Sequence, residues 1–243
     1  MAKTYLVTGG AGGIGSAICK TISKYDPSAK ILIHYCTSKA NAESLKKEIP
    51  NIEIIKADLE SKSEIEKLCK HVLAQGRIFG LVNCAGFVED KEFDDRTYED
   101  FEKAFKVNLF APFMLSQKLG REMHSNKGGK IVNISSTNGN NTTYPTSIDY
   151  DASKAALNSL TRNCAAALAP YVNVNAVAPG WVDVGAINEQ LDAAFLSSEK
   201  EAILLKRFAK PEEIAEMVWF LLSDKSNYLT GAIIPVDGGI KIG

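Results

Sequence analysis

Apolar residues in this chain come in short runs, and each run is followed by a stretch where they recur every three or four positions. The first run, Tyr5-Leu6-Val7, precedes Ile14, Ala17, Ile18 and Ile22, a spacing that puts them on one helical face. Ile31-Leu32-Ile33 leads to a helical segment over about 39–48. Ile52-Glu53-Ile54-Ile55 leads to a helix starting near Ser61, with Ser61 and Glu64 in a capping-box arrangement and Ile65, Leu68, Val72 and Leu73 as its buried face. Gly80-Leu81-Val82 predicts a fourth strand. A helical pattern then runs from about Thr97 through Leu119, with Pro112 expected to divide it. Ile131-Val132-Asn133-Ile134 predicts a fifth strand, and Ala152 to Leu168 a buried helix ended by Pro170. Val172 to Val177 alternates as a sixth strand should. Pro211 opens a helix to about Leu222, and Ile233, Ile234 and Val236 supply a seventh strand.

Strands alternating with helices predict the α/β class. The expected fold is a single-domain Rossmann-type doubly wound sheet of seven mostly parallel strands, with helices on both faces and residues 1–243 in one domain. Two segments interrupt the alternation: 138–149, dense in Asn, Thr and Pro, and 184–208, within which Leu191 to Leu196 looks amphipathic. Insertions of this length are often binding loops, and these two are expected to carry substrate.

Composition narrows the field. A net charge of −1 gives no bulk attraction to nucleic acid or an anionic membrane. The five cysteines are scattered without a C-x-x-C pair, which suits free thiols in a reducing compartment. His34, His71 and His124 have no metal-ligand spacing, so no metal is expected and each reads as a surface or packing histidine. No apolar run approaches membrane-spanning length, and the chain enters a strand almost at once. These features predict a cytoplasmic protein.

The stretch Thr8-Gly9-Gly10-Ala11-Gly12-Gly13-Ile14-Gly15 lies between the first strand and the first helix. Glycine permits positive φ and close approach of a diphosphate, and the helix start aims unpaired N–H groups at that anion. Other notable residues also follow strands: Asp58, Asn83 to Gly86, Ser135-Ser136 and Pro179-Gly180. In a parallel sheet those positions share the carboxyl edge, where ligands bind. Tyr150 and Lys154 are one helical turn apart. Tyr35 and Lys39 have the same spacing, and about one such pair is expected by chance. Tyr150 alone follows a strand ending in two serines.

With these motifs in this order, the chain resembles the short-chain dehydrogenase/reductase family, of the small single-domain type. The matching residues are Thr8 to Gly15, Asp58-Leu59, Asn83-Cys84-Ala85-Gly86, Asn108, Ile134-Ser135-Ser136, Tyr150 to Lys154, Pro179-Gly180, Thr230-Gly231 and Asp237-Gly238-Gly239. The resemblance implies a catalytic set of Asn108, Ser136, Tyr150 and Lys154, with Ser135 as a buried hydroxyl nearby. Tyr150 would exchange a proton with the substrate oxygen as a phenolate favoured by Lys154 and a cationic nicotinamide. Ser136 would hold that oxygen, and Asn108 would hold a water linking Lys154 to solvent. Cofactor contacts are implied at Thr8, Gly9, Gly13, Ile14, Gly15, Tyr35, Thr37, Ser38, Asp58, Leu59, Asn83, Ala85, Gly86, Pro179, Gly180 and Val182, besides Tyr150 and Lys154. Three positions depart from the family pattern. Cys84 replaces an Asn, Val184 stands where a Thr often binds the carboxamide, and Gly12 stands where NADP-preferring relatives often carry a base.

The implied function is interconversion of a secondary alcohol and a ketone with NAD or NADP, most like the 3-oxoacyl-(acyl carrier protein) reductases. A sugar or polyol dehydrogenase is the enzyme alternative, and a non-catalytic dinucleotide-binding sensor or scaffold is the alternative of another class. No acid occurs between Ile31 and Asn41 to repel a 2′-phosphate, while Thr37, Ser38 and Lys39 can bind one, so NADP is the expected cofactor over NAD. The apolar helix Ala155 to Leu168 and an apolar C-terminus (Ile240, Ile242) suggest a homotetramer.

Overall fold

The protein is described by a computed structural model over residues 2–140, 142–185 and 192–240. Seven strands form one sheet in the order β3-β2-β1-β4-β5-β6-β7, and every adjacent pair is parallel. They are β1 (Thr4–Thr8), β2 (Lys30–Tyr35), β3 (Ile52–Lys56), β4 (Ile78–Asn83), β5 (Gly129–Ile134), β6 (Val172–Pro179) and β7 (Ile233–Val236). The expected doubly wound sheet is therefore present, and it is wholly parallel. Its order reverses between β1 and β4, which opens a crevice at the carboxyl edge where ligands of such sheets bind.

Side chains alternate along each strand, and both faces are covered. Tyr5, Val7, Ile31 and Ile33 enter the layer containing α1 (Gly13–Tyr25), α2 (Lys39–Glu48) and the last helix, Pro211–Leu222. Leu6, Leu32, Leu81 and Ile131 enter the other layer, against α3 (Lys62–Ala74), α5 (Ala111–Ser125) and α6 (Ile148–Leu168). Burial on both faces is why the strands read as unbroken apolar runs. β6 departs from its expected alternation for the same reason. Asn175 is buried, donating to the Leu229 carbonyl (2.9 Å) and accepting from the Ala232 N–H (3.0 Å).

Three local expectations are revised. Ser61 caps α3 by accepting from the Glu64 N–H, but the Glu64 carboxylate turns away and accepts from the Asp58 N–H at 2.6 Å, so the capping box is only half formed. The helix after residue 97 is divided by a π turn, Lys106–Phe110, between α4 (Tyr98–Phe105) and α5, rather than by Pro112 itself. Pro112 sits in the first turn of α5, and the widened turn before it relieves the clash between its ring and the carbonyl four residues back. α6 begins at Ile148, four residues earlier than expected, so Tyr150 and Lys154 both lie in its opening turns. In the 184–208 segment a helix, α7 (Ala193–Ala202), is capped by Asp192. Residues 186–191 lie outside the described residues, and so does the start of the predicted amphipathic run. The final helix, Pro211–Leu222, is α8.

Candidate active site

Gly9 sits at the centre of the phosphate-loop geometry. Its φ is +63°, and its carbonyl accepts from the Gly12 N–H at 3.0 Å. A Cβ at Gly15 would lie 2.2 Å from that carbonyl oxygen, and one at Gly9 would lie 2.8 Å from Ala85 Cα. The loop can close only with glycine at both positions. The start of α1 has Gly12 as its N-cap, with no side-chain cap and no acid in the first turn, and Gly12 and Gly13 are exposed. An uncapped helix start with a positive dipole end and open approach suits the diphosphate of a dinucleotide.

Thr8 binds the crevice together. Its hydroxyl accepts from the Cys84 and Ala85 N–H groups at 3.0 and 3.1 Å, joining the ends of β1 and β4. Asn83 faces sideways within the sheet: its Nδ2 donates to Asn133 Oδ1 (2.8 Å), and Asn133 donates to Thr161 Oγ1 (2.9 Å). The Nδ2 groups of both are thus committed to protein partners, while Asn83 Oδ1 is buried without a hydrogen-bond partner. Leu59 and Val182 are buried, Gly180 packs against Asp237, and the Asp58 carboxylate accepts from the Glu60 N–H at the end of β3. Tyr35 is buried beside Ala11 and Ala42, whereas Thr37 and Ser38 are exposed at the start of α2.

The predicted catalytic residues converge beyond this crevice. Lys154 is buried. Its Nζ donates to the Ile134 carbonyl at 2.8 Å and lies 5.4 Å from the centre of the Tyr150 ring. Burial lowers the Lys154 ammonium to about 8. Burial likewise pushes the Tyr150 phenol up to about 12, opposed by the hydrogen-bonded Ser136 hydroxyl. The expected phenolate is therefore not what the protein alone favours, because loss of hydration outweighs the Ser136 hydrogen bond. Asn108, in the π turn, accepts from the Phe87 N–H and donates to the Phe87 carbonyl (both 2.8 Å), and also donates to Ser153 Oγ. Both Nδ2 hydrogens and one lone pair of Oδ1 are engaged, which fixes the segment after β4. A Cβ on Gly86 would stand 3.7 Å from Asn108 Oδ1 and 3.8 Å from Lys154 Nζ, so the three residues meet at one point. Ser135 is a buried hydroxyl, as expected, and donates to Asn158 Oδ1 at 2.6 Å. The rival pair separates cleanly: Tyr35 ends β2 and Lys39 begins α2, so they share no helix, and Lys39 pairs with Glu43.

A family model described as Enoyl-(Acyl carrier protein) reductase matches residues 9–241. The chain belongs to the short-chain dehydrogenase/reductase family. As a member it is an oxidoreductase that interconverts an alcohol and a ketone with a nicotinamide dinucleotide. It is 37% identical to the 3-oxoacyl-(acyl-carrier-protein) reductase FabG of Aquifex aeolicus, covering 98% of this chain and 97% of that protein. It is 34% identical to the acetoacetyl-CoA reductase of Allochromatium vinosum, covering 99% of each. Among solved structures, a blue fluorescent protein from a metagenomic library in complex with NADPH superposes with a TM-score of 0.91 at 30% identity, covering 98% of each chain.

Two departures from the pattern of this dehydrogenase/reductase family have a structural explanation. Val184 packs on the phosphate loop, where a Cβ at Gly13 would fall 2.6 Å from Val184 Cγ1, so an apolar contact replaces the family's hydroxyl. Cys84 is partly buried against the core and its thiol is pushed up to about 12 by burial, consistent with a neutral packing residue. Sequence reasoning missed a hydrogen-bonded cluster that joins the two predicted substrate loops. Tyr144 donates to Glu199 on α7, and Trp181 Nε1 donates to the same carboxylate at 2.7 Å. From Tyr144 the bonding continues through its N–H to Asp151, from Asp151 to Asn138 Nδ2 (2.7 Å), and from the Asn138 N–H to Ser136 Oγ (3.1 Å). Trp181 also stacks on Phe208 and meets Phe195 edge-on, which seats α7 on the end of β6. The signal available in the sequence was the pair of aromatic residues, Tyr144 within the 138–149 segment and Trp181 directly after Pro179-Gly180, just ahead of the 184–208 segment.

Proposed function

We propose that this protein is an NADP-preferring ketoreductase of 3-oxoacyl thioesters, with residues 1–243 acting as one dinucleotide-binding and catalytic unit. The observation that carries this reading is the Ser136–Tyr150–Lys154 cluster at the edge of the crevice. A bound nicotinamide dinucleotide supplies the hydride. The Ser136 hydroxyl holds the substrate oxygen, and Tyr150, which keeps its proton at neutral pH, delivers that proton to the same oxygen. The phenolate left behind is stabilised by Lys154 one turn away and regains its proton through it. Asn108 acts by holding Phe87 and Ser153 around Lys154.

The names of two relatives, a 3-oxoacyl-(acyl-carrier-protein) reductase and an acetoacetyl-CoA reductase, support thioesters as the substrate class. NADP over NAD is supported by the start of α2. Ser38 is its N-cap without a side-chain cap bond, no acid lies in the first turn, and Lys39 stands at the first helical position. An exposed helix start beside a lysine suits a 2′-phosphate. The NADPH complex of the metagenomic blue fluorescent protein points the same way. Assembly into a homotetramer is part of the proposal, but its support shifts. Ile240 is buried against Leu196, Ile203 and Phe208 within the chain, and Ile242 lies outside the described residues. Phe110 and Phe113, 50% and 43% exposed near the start of α5, are the better candidates for a subunit contact. Among the described residues no helix is long and apolar enough to cross a membrane, and no metal-holding cluster occurs.

Steady-state turnover of acetoacetyl-CoA, other ketones and sugar alcohols, each with NADPH and NADH, tests this reading. The expected result is a higher kcat/KM for the thioester with NADPH. A sugar alcohol preferred over every thioester, or a higher kcat/KM with NADH, would overturn the corresponding part.

A further inference from the structure

His34 is a buried polar residue near the carboxyl end of β2, and the chemistry described so far makes no use of it. Its ring lies between two loops of the cofactor edge. Nδ1 is 3.1 Å from the Gly9 N–H, and Nε2 is 3.0 Å from the Ala57 carbonyl oxygen. The Gly9 amide can only donate, so Nδ1 must offer a lone pair; the carbonyl can only accept, so Nε2 must carry the proton. The two partners therefore select one neutral tautomer. Burial, which holds the imidazole below its usual range, favours the same neutral form. The His34 main chain adds a third link, its carbonyl accepting from the Gly10 N–H at 3.1 Å.

Gly9 is the residue on which the phosphate loop turns. Its φ is positive, its carbonyl takes the Gly12 amide, Gly15 presses against that carbonyl, and Ala85 packs against its α-carbon. A peptide plane that is free to rotate at Gly9 would move all of these together. On its other side, His34 grips Ala57, the residue just before Asp58 at the predicted adenine end. One imidazole thus joins the loop that suits the diphosphate to the strand end that suits the adenosine.

We propose that His34 is a positioning residue for the dinucleotide, which fixes the Gly9 peptide through an acceptor at Nδ1 and so pre-shapes the phosphate loop. It does not touch the cofactor. The inference rests on the dinucleotide-binding reading and extends it to a residue of this chain outside the family motif.

The test is direct binding of NADPH by fluorescence titration, which needs no turnover, on His34→Asn, His34→Gln and His34→Ala. Asparagine can place an amide oxygen near the Nδ1 position and keep the Gly9 bond. Glutamine reaches toward the Ala57 carbonyl and loses the Gly9 acceptor, and alanine loses both. The expected dissociation constants are within about threefold of the parent for His34→Asn and at least tenfold weaker for His34→Gln and His34→Ala, with kcat at saturating NADPH little changed. If His34→Ala does not fold, the Asn–Gln contrast carries the test by itself. Equal affinity in Asn and Gln variants, whether both strong or both weak, would overturn the inference, since a residue that merely fills space does not distinguish them. Failure of the parent protein to bind any nicotinamide dinucleotide would instead overturn the reading on which it rests.

Discussion

Lys154 Nζ is held 2.8 Å from the Ile134 carbonyl oxygen, and this bond directs the ammonium along the catalytic edge, 5.4 Å from the centre of the Tyr150 ring. Ile134 ends β5, directly before the serine pair, so strand and helix set the geometry jointly. The position is costly. Burial lowers the ammonium to about 8, which leaves it charged at neutral pH and easily discharged above it.

Carbonyl reduction should therefore fall as pH rises above about 8, because the phenol can no longer be recharged through Lys154. A rate profile for Lys154→Arg, whose side chain stays protonated, should lack that limb even if its overall rate is lower. The same shift gives a stability signature. The folded-state value lies below the ordinary 10.5, so between about pH 8 and 10.5 the unfolded chain holds more protons and stability rises with pH. Subtracting the denaturation profile of Lys154→Met from that of the parent should expose this rise. A flat difference would argue against a buried, charged lysine.

Gly15→Ala should abolish tight dinucleotide binding, because its Cβ would fall 2.2 Å from the Gly9 carbonyl oxygen and force the loop open. Gly76→Ala serves as a comparison for backbone strain alone: its φ is +100° and nothing lies within 4 Å of the added carbon. NADPH titration should separate the two, with weakened affinity only in the Gly15 variant.

How far the site was legible depends on what each residue touches. The strands and the phosphate loop stood out because a parallel sheet buried on both faces must read as apolar runs, and a loop closing on Gly9 and Gly15 must be glycine there. A polar residue at a strand end such as Asn83 looks the same in sequence whatever its partners, so the link from its Nδ2 through Asn133 to Thr161 inside the sheet was not legible. His34 left no periodic mark, since its partners Gly9 and Ala57 lie on two other segments. The Tyr144–Trp181–Glu199 cluster was hidden for the same reason, being assembled from three separated stretches.

That cluster predicts a specific kinetic split. Tyr144→Phe removes one charge-assisted hydrogen bond between the 138–149 loop and α7, a loss of roughly 1.5–3 kcal/mol in local anchoring. Substrate KM should rise severalfold while the NADPH dissociation constant stays unchanged. Steady-state kinetics with parallel NADPH titration would show it, and an equal loss in both would place the cluster's effect elsewhere.

Arg96 and Asp149 form an ion pair at 3.1 Å with side chains only 3% and 1% exposed, one residue before Tyr150. Arg96 also donates to the carbonyls of Glu89 and Thr146, tying down the approach to α6. Arg96→Met leaves Asp149 buried without its cation and should cost about 3–5 kcal/mol in urea denaturation. A change below about 1 kcal/mol would mean that water reaches the carboxylate.

The central claim, that Tyr150 is the proton donor of a nicotinamide-dependent reductase, is tested most directly by Tyr150→Phe, with NADPH oxidation followed by absorbance on acetoacetyl-CoA or the best ketone of the panel. The account predicts a fall in kcat of at least about 10²-fold, with NADPH affinity within about threefold of the parent and Tyr35→Phe turning over normally. Parent-like turnover by Tyr150→Phe at neutral pH would contradict it.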